Sequence, residues 1–137
     1  MHVEKIWETH QKVLEYAKKR HPKLYVITPP NYRSLGILPY SYRKFKEDVA
    51  KKYKELKEFC RMELHVHLNI SPRFRSSDFR TKEKVIKDSF HFLEGIGVHP
   101  KEVVFGAYIW DEDCERAARR LGLKIIWPHF HIYDWWL

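Results

Sequence analysis

The chain has 137 residues, of which 44% are hydrophobic, 15% aromatic and 32% charged. This composition is that of one folded domain, because single cores usually contain about 100–200 residues and disordered chains are poor in aromatic side chains. Two cysteines exclude a disulfide framework and a cysteine-rich zinc module. No apolar run approaches the roughly 18–20 residues of a membrane span, and the first residues lack an apolar leader, so we expect a cytoplasmic protein without a membrane partner.

Helices and strands alternate along the chain. Apolar residues at helical spacing mark the helices, and short β-branched or alternating runs mark the strands. The pattern predicts, in chain order, a helix over 1–20, a strand over 24–28, a break at Pro29 and Pro30 with a long loop over 32–42, a helix over 42–60, a strand over 62–68, a basic loop over 71–80, a helix over 81–94, a strand over 102–110, a short helix capped by Asp111 and a strand over 123–127.

This alternation predicts an α/β fold, in which a parallel sheet of about four strands is flanked by helices. The strand centres near Val26, His65 and Val104 are 39 residues apart, a spacing that suits successive βα units. We therefore expect a single α/β domain over residues 1–137.

Two His-x-His pairs stand at predicted strand ends. His65 and His67 lie at the end of the second strand, and His129 and His131 follow the fourth. Ligands of parallel α/β proteins bind beyond the carboxyl ends of the strands, and residues two apart on a strand share a face. Each pair could therefore present two imidazoles to one metal ion at about 2.0–2.1 Å. The alternative of a packed, hydrogen-bonded core histidine stays open for His65.

Carboxylates also follow the predicted third and fourth strands. Asp111, Asp113 and Asp134 lie in these segments. A carboxylate at such an edge can act as a metal ligand or as a general base. These residues therefore complete a candidate metal-dependent site.

Several motifs in the last 75 residues carry a family resemblance. In chain order they are a Glu-Leu-x-x-His strand end (Glu63, Leu64, His67), a Gly-x-x-Pro before the next strand (Gly97, Pro100), a Leu-Gly at a helix end (Leu121, Gly122) and a Trp-ended strand followed by Asp-Trp (Trp127, Asp134, Trp135). In this order they resemble the polysaccharide deacetylase homology domain, which belongs to the glycoside hydrolase/deacetylase barrel superfamily. A shorter match, the segment ELHVH, also resembles metal-dependent phosphoesterases whose first strand ends in His-x-His.

The deacetylase resemblance implies a truncated (β/α) barrel and metal-dependent removal of acetyl groups from carbohydrate or a similar small substrate. The expected cofactor is a divalent, zinc-like ion that polarises a carbonyl and lowers the pKa of water. His67 carries over as a metal residue, and Asp134 and Trp135 carry over as architecture. The complete hypothesis assigns His65, His67, His129 and His131 to the metal, Asp111 and Asp134 to catalysis, and Trp110, Trp135 and Asn69 to substrate binding.

Two other functions compete with this hydrolase. The segment LYVITPPN lacks the family's Asp pair, which favours a catalytically silent binding or assembly module that forms a homo-oligomer. The formal charge of +8 favours polyanions, and arginines interleaved with phenylalanines near residues 73–80 suit a nucleic acid. Lys44, Lys46, Lys51, Lys52, Lys54 and Lys57 add a basic helix. A nucleic-acid partner is the less favoured expectation, because a lysine-rich helix is usually a solvated face.

Overall fold

The structure is a computed structural model, and it describes residues 3–68, 79–106 and 111–126. The elements are, in chain order, α1 (Val3–Arg20), β1 (Lys23–Val26), α2 (Pro29–Leu35), α3 (Tyr42–Leu56), β2 (Arg61–Val66), α4 (Phe79–Gly95), β3 (Glu102–Phe105), α5 (Glu112–Arg120) and β4 (Lys124–Ile125). The expected fold class, α/β with a four-stranded parallel sheet flanked by helices, is confirmed. Within the described ranges, no helix combines the length and the apolar character needed to cross a membrane.

The order of the strands in the sheet follows the order of the chain, β1-β2-β3-β4, and every neighbouring pair is parallel. Val26 pairs with Leu64, and His65 pairs with Val104, in agreement with the spacing of strand centres in the sequence. Crossovers between parallel strands are nearly always right-handed. Each strand lies next to the one before it and always further along the sheet in the same direction, so right-handed crossovers place the connecting helices on one face of the sheet. The (β/α) barrels have the same arrangement of consecutive parallel strands.

The two faces of the sheet differ in chemistry. One face belongs to the hydrophobic core that also contains residues of α1, α3, α4 and α5; its strand residues are Leu24, Val26, Met62, Leu64, Val66, Val103 and Phe105. The opposite face carries Tyr25 and Glu63, which are register partners, and His65 beside Val104. These four side chains are 0–6% exposed, although none of them belongs to that core. Both faces of the sheet are therefore buried, but only one of them is apolar throughout.

The break predicted after the first strand is in fact the start of a helix. Residues 29–35 form α2, with Pro29 and Pro30 in its first turn. Proline is tolerated there because the first N–H groups of a helix have no partner within the helix. Gly36 ends the helix in the left-handed region at a φ of 72°. The loop prediction was therefore wrong for these residues.

Other boundaries differ by a few residues. The third helix ends at Leu56 instead of residue 60, because a turn over residues 57–59 leads the chain into β2. Cys60 consequently lies outside the helix that was expected to hold it. The cap at Asp111 is confirmed, since its Oδ1 accepts a hydrogen bond from the Cys114 amide at 3.0 Å.

An ion-pair network joins three strands at the amino edge of the polar face. The buried Glu63 carboxylate accepts hydrogen bonds from Arg61 Nε at 3.1 Å and from the amides of Lys101 and Glu102 at 2.9 and 2.6 Å. The Glu102 carboxylate accepts bonds from the Lys23 amine at 2.9 Å and from the Tyr25 hydroxyl at 2.8 Å.

Burial alone would raise the pKa of Glu102, but the bonds from Lys23 and Tyr25 outweigh it and lower that pKa. The network therefore keeps the Glu102 carboxylate charged at one end of the sheet. The histidines lie toward the other end of the same face.

Candidate functional site

A histidine pair occupies the polar face at the carboxyl end of β2. His65 lies within the strand and His67 follows its last residue, so strand alternation places both rings on one side of the sheet. Their exposed fractions are 0% and 6%. The edge beyond the carboxyl ends of parallel strands is where α/β proteins bind ligands. The pair therefore lies where the sequence predicted it.

A backbone carbonyl of the neighbouring strand fixes the tautomer of His65. Its Nδ1 lies 3.0 Å from the carbonyl oxygen of Val104 in β3. A carbonyl oxygen can only accept, so Nδ1 carries the proton and donates it. In the neutral ring, Nε2 then keeps its lone pair. This is the arrangement that second-shell carbonyls impose on metal-binding histidines.

The two imidazoles meet through their Nε2 atoms. These atoms are 2.8 Å apart, the ring centroids are 4.4 Å apart, and the ring planes are inclined by 77°. Because the Nε2 of neutral His65 offers a lone pair, the Nε2 of His67 donates the hydrogen between them. One proton thus lies at the point on which both rings converge.

A side-chain amide from α2 holds the backbone of His67. Asn31 Oδ1 accepts a hydrogen bond from the His67 amide at 2.8 Å, and Asn31 Nδ2 donates to the His67 carbonyl at 2.8 Å. Asn31 is fully buried. This two-point contact mimics a strand partner and fixes the backbone just past the end of β2. Asn31 was not among the predicted site residues, although an asparagine in the segment that follows the first strand, at the ligand-binding edge, was the available signal.

Gly106, after the end of β3, makes room for the His67 ring. A Cβ at this position would lie 2.1 Å from His67 Nδ1 and 2.2 Å from Cε1. Such distances are far inside ordinary contact, so a larger residue would displace the ring. The absence of a side chain at Gly106 therefore helps to set where His67 points.

Asp111, a predicted catalytic residue, has a structural position at the start of α5. One oxygen caps the helix, and the other accepts a bond from the mostly buried Lys82 amine of α4. Burial raises the pKa of Asp111, but the bonds from Lys82 and the Cys114 amide outweigh it and lower that pKa. The bond to Asp111 in turn raises the pKa of Lys82. Asp111 therefore joins α4 to α5 as a charged carboxylate.

The two thiols are not activated. Burial raises the pKa of Cys60 to about 11 and that of Cys114 to about 12. A nucleophilic cysteine needs a lowered pKa. Neither cysteine therefore has the environment of a nucleophile.

Six predicted site residues lie outside the described ranges: Asn69, Trp110, His129, His131, Asp134 and Trp135. Within the described ranges, no group of three or more His, Cys, Asp or Glu side chains is arranged to hold a metal ion. His65 and His67 thus come together as predicted, and the rest of the predicted ligand set stays a prediction.

Comparison with protein-family models and with curated proteins gives no match for the chain.

Proposed function

We propose that the protein is a metal-dependent hydrolase whose reaction site lies at the carboxyl edge of the sheet. The observation that carries this proposal is the buried pair of imidazole Nε2 atoms, 2.8 Å apart, in His65 and His67. Two imidazole nitrogens that converge on one point, at the edge where parallel α/β sheets bind ligands, can serve as two ligands of one ion. A metal ion is the group that most often uses such a pair.

The geometry of the pair fits a zinc-like ion in donor type and in orientation. Imidazole nitrogen is a donor type that such an ion prefers, and the two Nε2 atoms converge on one point. The Val104 carbonyl already holds the proton of His65 on the nitrogen that faces away. His65 and His67 would supply two ligands, and we propose His129 and His131 for the others.

The chain's own residues orient the site. Asn31 fixes the backbone of His67, Gly106 leaves space for its ring, and Val104 fixes the tautomer of His65. A divalent ion bound there would polarise a carbonyl and lower the pKa of water. We propose Asp134 as the general base. Asp111 is the weaker candidate, because both of its oxygens are already engaged.

The proposed substrate is an acetylated carbohydrate or a similar small ester or amide. The support is the resemblance to the polysaccharide deacetylase homology domain, which includes His67 at the end of β2. In this proposal Trp110 and Trp135 stack on sugar rings, and Asn69 binds a hydroxyl group.

Metal analysis tests the proposal. Untagged protein dialysed against zinc should retain about one equivalent, and His67→Ala should lower the zinc affinity at least 10-fold. His99→Ala is the matched control, because the His99 side chain is 76% exposed and lies at the other edge of the sheet. Acetate release from acetylated oligosaccharides should be lower for His67→Ala than for the wild type, and unchanged for His99→Ala. Equal zinc binding by the two variants, or a wild type that takes up none, would contradict the proposal.

A silent assembly module is the second candidate, and the open sheet favours it. In the described part of the chain, β1 and β4 have one strand neighbour each, and β4 has only two residues, Lys124 and Ile125. An uncovered edge pairs readily with another strand. This candidate predicts a homo-oligomer without zinc, which light scattering after gel filtration would detect. A monomer at high concentration would argue against it.

A further inference from the structure

A continuous groove runs along the helical side of the fold, between α3 and α4. Its two parts have volumes of about 590 Å³ and 390 Å³, and they share Pro30, Tyr42 and Asp88 as lining residues. On α4 the lining extends from Thr81 to Gly95, a rise of about 21 Å at 1.5 Å per residue. The groove is therefore long enough for an extended chain.

The groove has an excess of positive charge. Its charged lining residues are Arg33, Arg43, Lys46, Lys54 and Lys84, with Glu47 and Asp88 as the carboxylates. Both carboxylates are already used, since Glu47 pairs with Arg43 at 3.5 Å and Asp88 pairs with Lys84 at 2.8 Å. Within the described ranges, the other three cations have no carboxylate within 4.0 Å. Three charges are thus available for an anionic ligand.

An aromatic ring, that of Tyr42, lies among the cations of the groove. Tyr42 lines both parts of the groove, the Arg33 guanidinium lies 4.6 Å from its ring centre, and the Lys46 amine lies 6.0 Å from it. Lys54 is two helical turns beyond Lys46, about 12 Å along α3. Cations that alternate with a stacking surface along a groove are the means by which proteins bind single strands without sequence preference.

We propose that this groove binds single-stranded nucleic acid. Proteins read a duplex by placing a helix or a β-ribbon into its groove, whereas this site is itself a groove between two helices. An acidic amphipathic peptide would need exposed apolar anchors. Tyr16 of α1, outside the groove, is the one large hydrophobic residue exposed in the described ranges, while Phe92 and Ile96 in the groove are 8% and 6% exposed. The lining therefore favours phosphate contacts over apolar ones.

The fold divides the four exposed lysines of α3 into two sets. Lys46 and Lys54 line the groove, whereas Lys44 and Lys51 are also exposed on the same helix but do not line it. The sequence shows one basic helix, and only the packing of α3 beside α4 separates the two sets. They provide a test in which charge, residue type and helix are matched.

Fluorescence anisotropy with labelled 20-nucleotide oligo(dT) and oligo(U) tests the proposal. The variant Lys46→Glu/Lys54→Glu should lose at least 10-fold in affinity at 150 mM salt. The slope of log Kd against log salt should fall by about 1.4, because each lost phosphate contact removes about 0.7. Lys44→Glu/Lys51→Glu should lose less than 3-fold. Tyr42→Ala should weaken binding more than Tyr16→Ala does.

Four outcomes would overturn the proposal. Two of them are equal losses in the two lysine variants and no binding of the oligonucleotide at 150 mM salt. The others are an affinity for duplex DNA equal to that for the single strand, and displacement of the bound oligonucleotide by poly-glutamate as readily as by unlabelled oligonucleotide. The first would show that net charge alone attracts the oligonucleotide. The proposal goes beyond the hydrolase and does not depend on it, because no residue of the groove belongs to the histidine site. Circular dichroism of each variant should match that of the wild type, so that a loss of binding is not a loss of folding.

Discussion

Replacing Gly106 with alanine would place a methyl group inside the ring of His67. The new Cβ would lie 2.1 Å from Nδ1 and 2.7 Å from Cγ. Carbon atoms in contact need roughly 3.5 Å, so the ring or the end of β3 would have to move by more than about 1 Å. Overpacking of this kind in a buried site costs about 1–3 kcal/mol of unfolding free energy. The displaced ring would also lose its 2.8 Å contact with His65.

Urea unfolding and a zinc competition assay measure the two effects. We expect Gly106→Ala to be less stable by about 1–3 kcal/mol and to bind zinc at least 10-fold more weakly. Gly95→Ala is the control, because an added Cβ there meets nothing within 4 Å. Alanine is the better helix former, so this control should be neutral or stabilising by up to about 1 kcal/mol.

A double variant shows whether the ring is the cause. In a His67→Ala background the obstructing atoms are gone, so Gly106→Ala should cost less than about 0.5 kcal/mol. An equal cost with and without the ring would refute the assignment of Gly106 to the positioning of His67.

Three further predictions concern charged and titratable groups. Burial lowers the pKa of His10 to about 4. The ring in the unfolded chain titrates near 6.5, so the unfolded state binds protons first as pH falls, and the free energy of unfolding should drop by about 1.5 kcal/mol from pH 6.5 to 5 in urea titrations; His10→Leu should flatten this slope. Glu63→Gln weakens the three hydrogen bonds that the Glu63 carboxylate accepts, so it should lower the free energy of unfolding by roughly 2–4 kcal/mol in the same assay. The exposed Glu58→Gln is the control and should lower it by less than about 0.5 kcal/mol. Asp111→Asn keeps a cap acceptor but removes the charge facing Lys82, so thermal unfolding should show a loss of about 1 kcal/mol for this half-exposed carboxylate; lost hydrolysis at unchanged stability would instead make Asp111 catalytic.

Most of the elements follow from local patterns in the sequence. Apolar spacing predicts α1, α3 and α4, and the carboxylate of Asp111 predicts the start of α5. The segment after β1 was misread, because Pro29 and Pro30 are compatible with both a turn and the first turn of a helix. The packing of α2 against α3 and α4 settles that choice, and packing is a long-range property.

Part of the histidine site could also be predicted. The spacing of His65 and His67 on one strand requires a shared face, whatever the rest of the fold. The residues that hydrogen-bond to the two histidines could not be predicted in the same way. Val104 is 39 residues from His65, and Asn31 is 36 residues from His67. Only the pairing of β2 with its neighbours brings such residues into contact.

The sequence by itself determined the α/β class, the parallel strands and the position of a histidine pair at a strand end. These follow from periodicity and from the alternation of helices and strands, which are local. The tertiary structure decided that the sheet has one polar face and that Asn31 and Gly106 shape the site of His67. It also decided that Lys46 and Lys54 line a groove while Lys44 and Lys51 do not. These features depend on distances between residues far apart in the chain, which register and helix packing set.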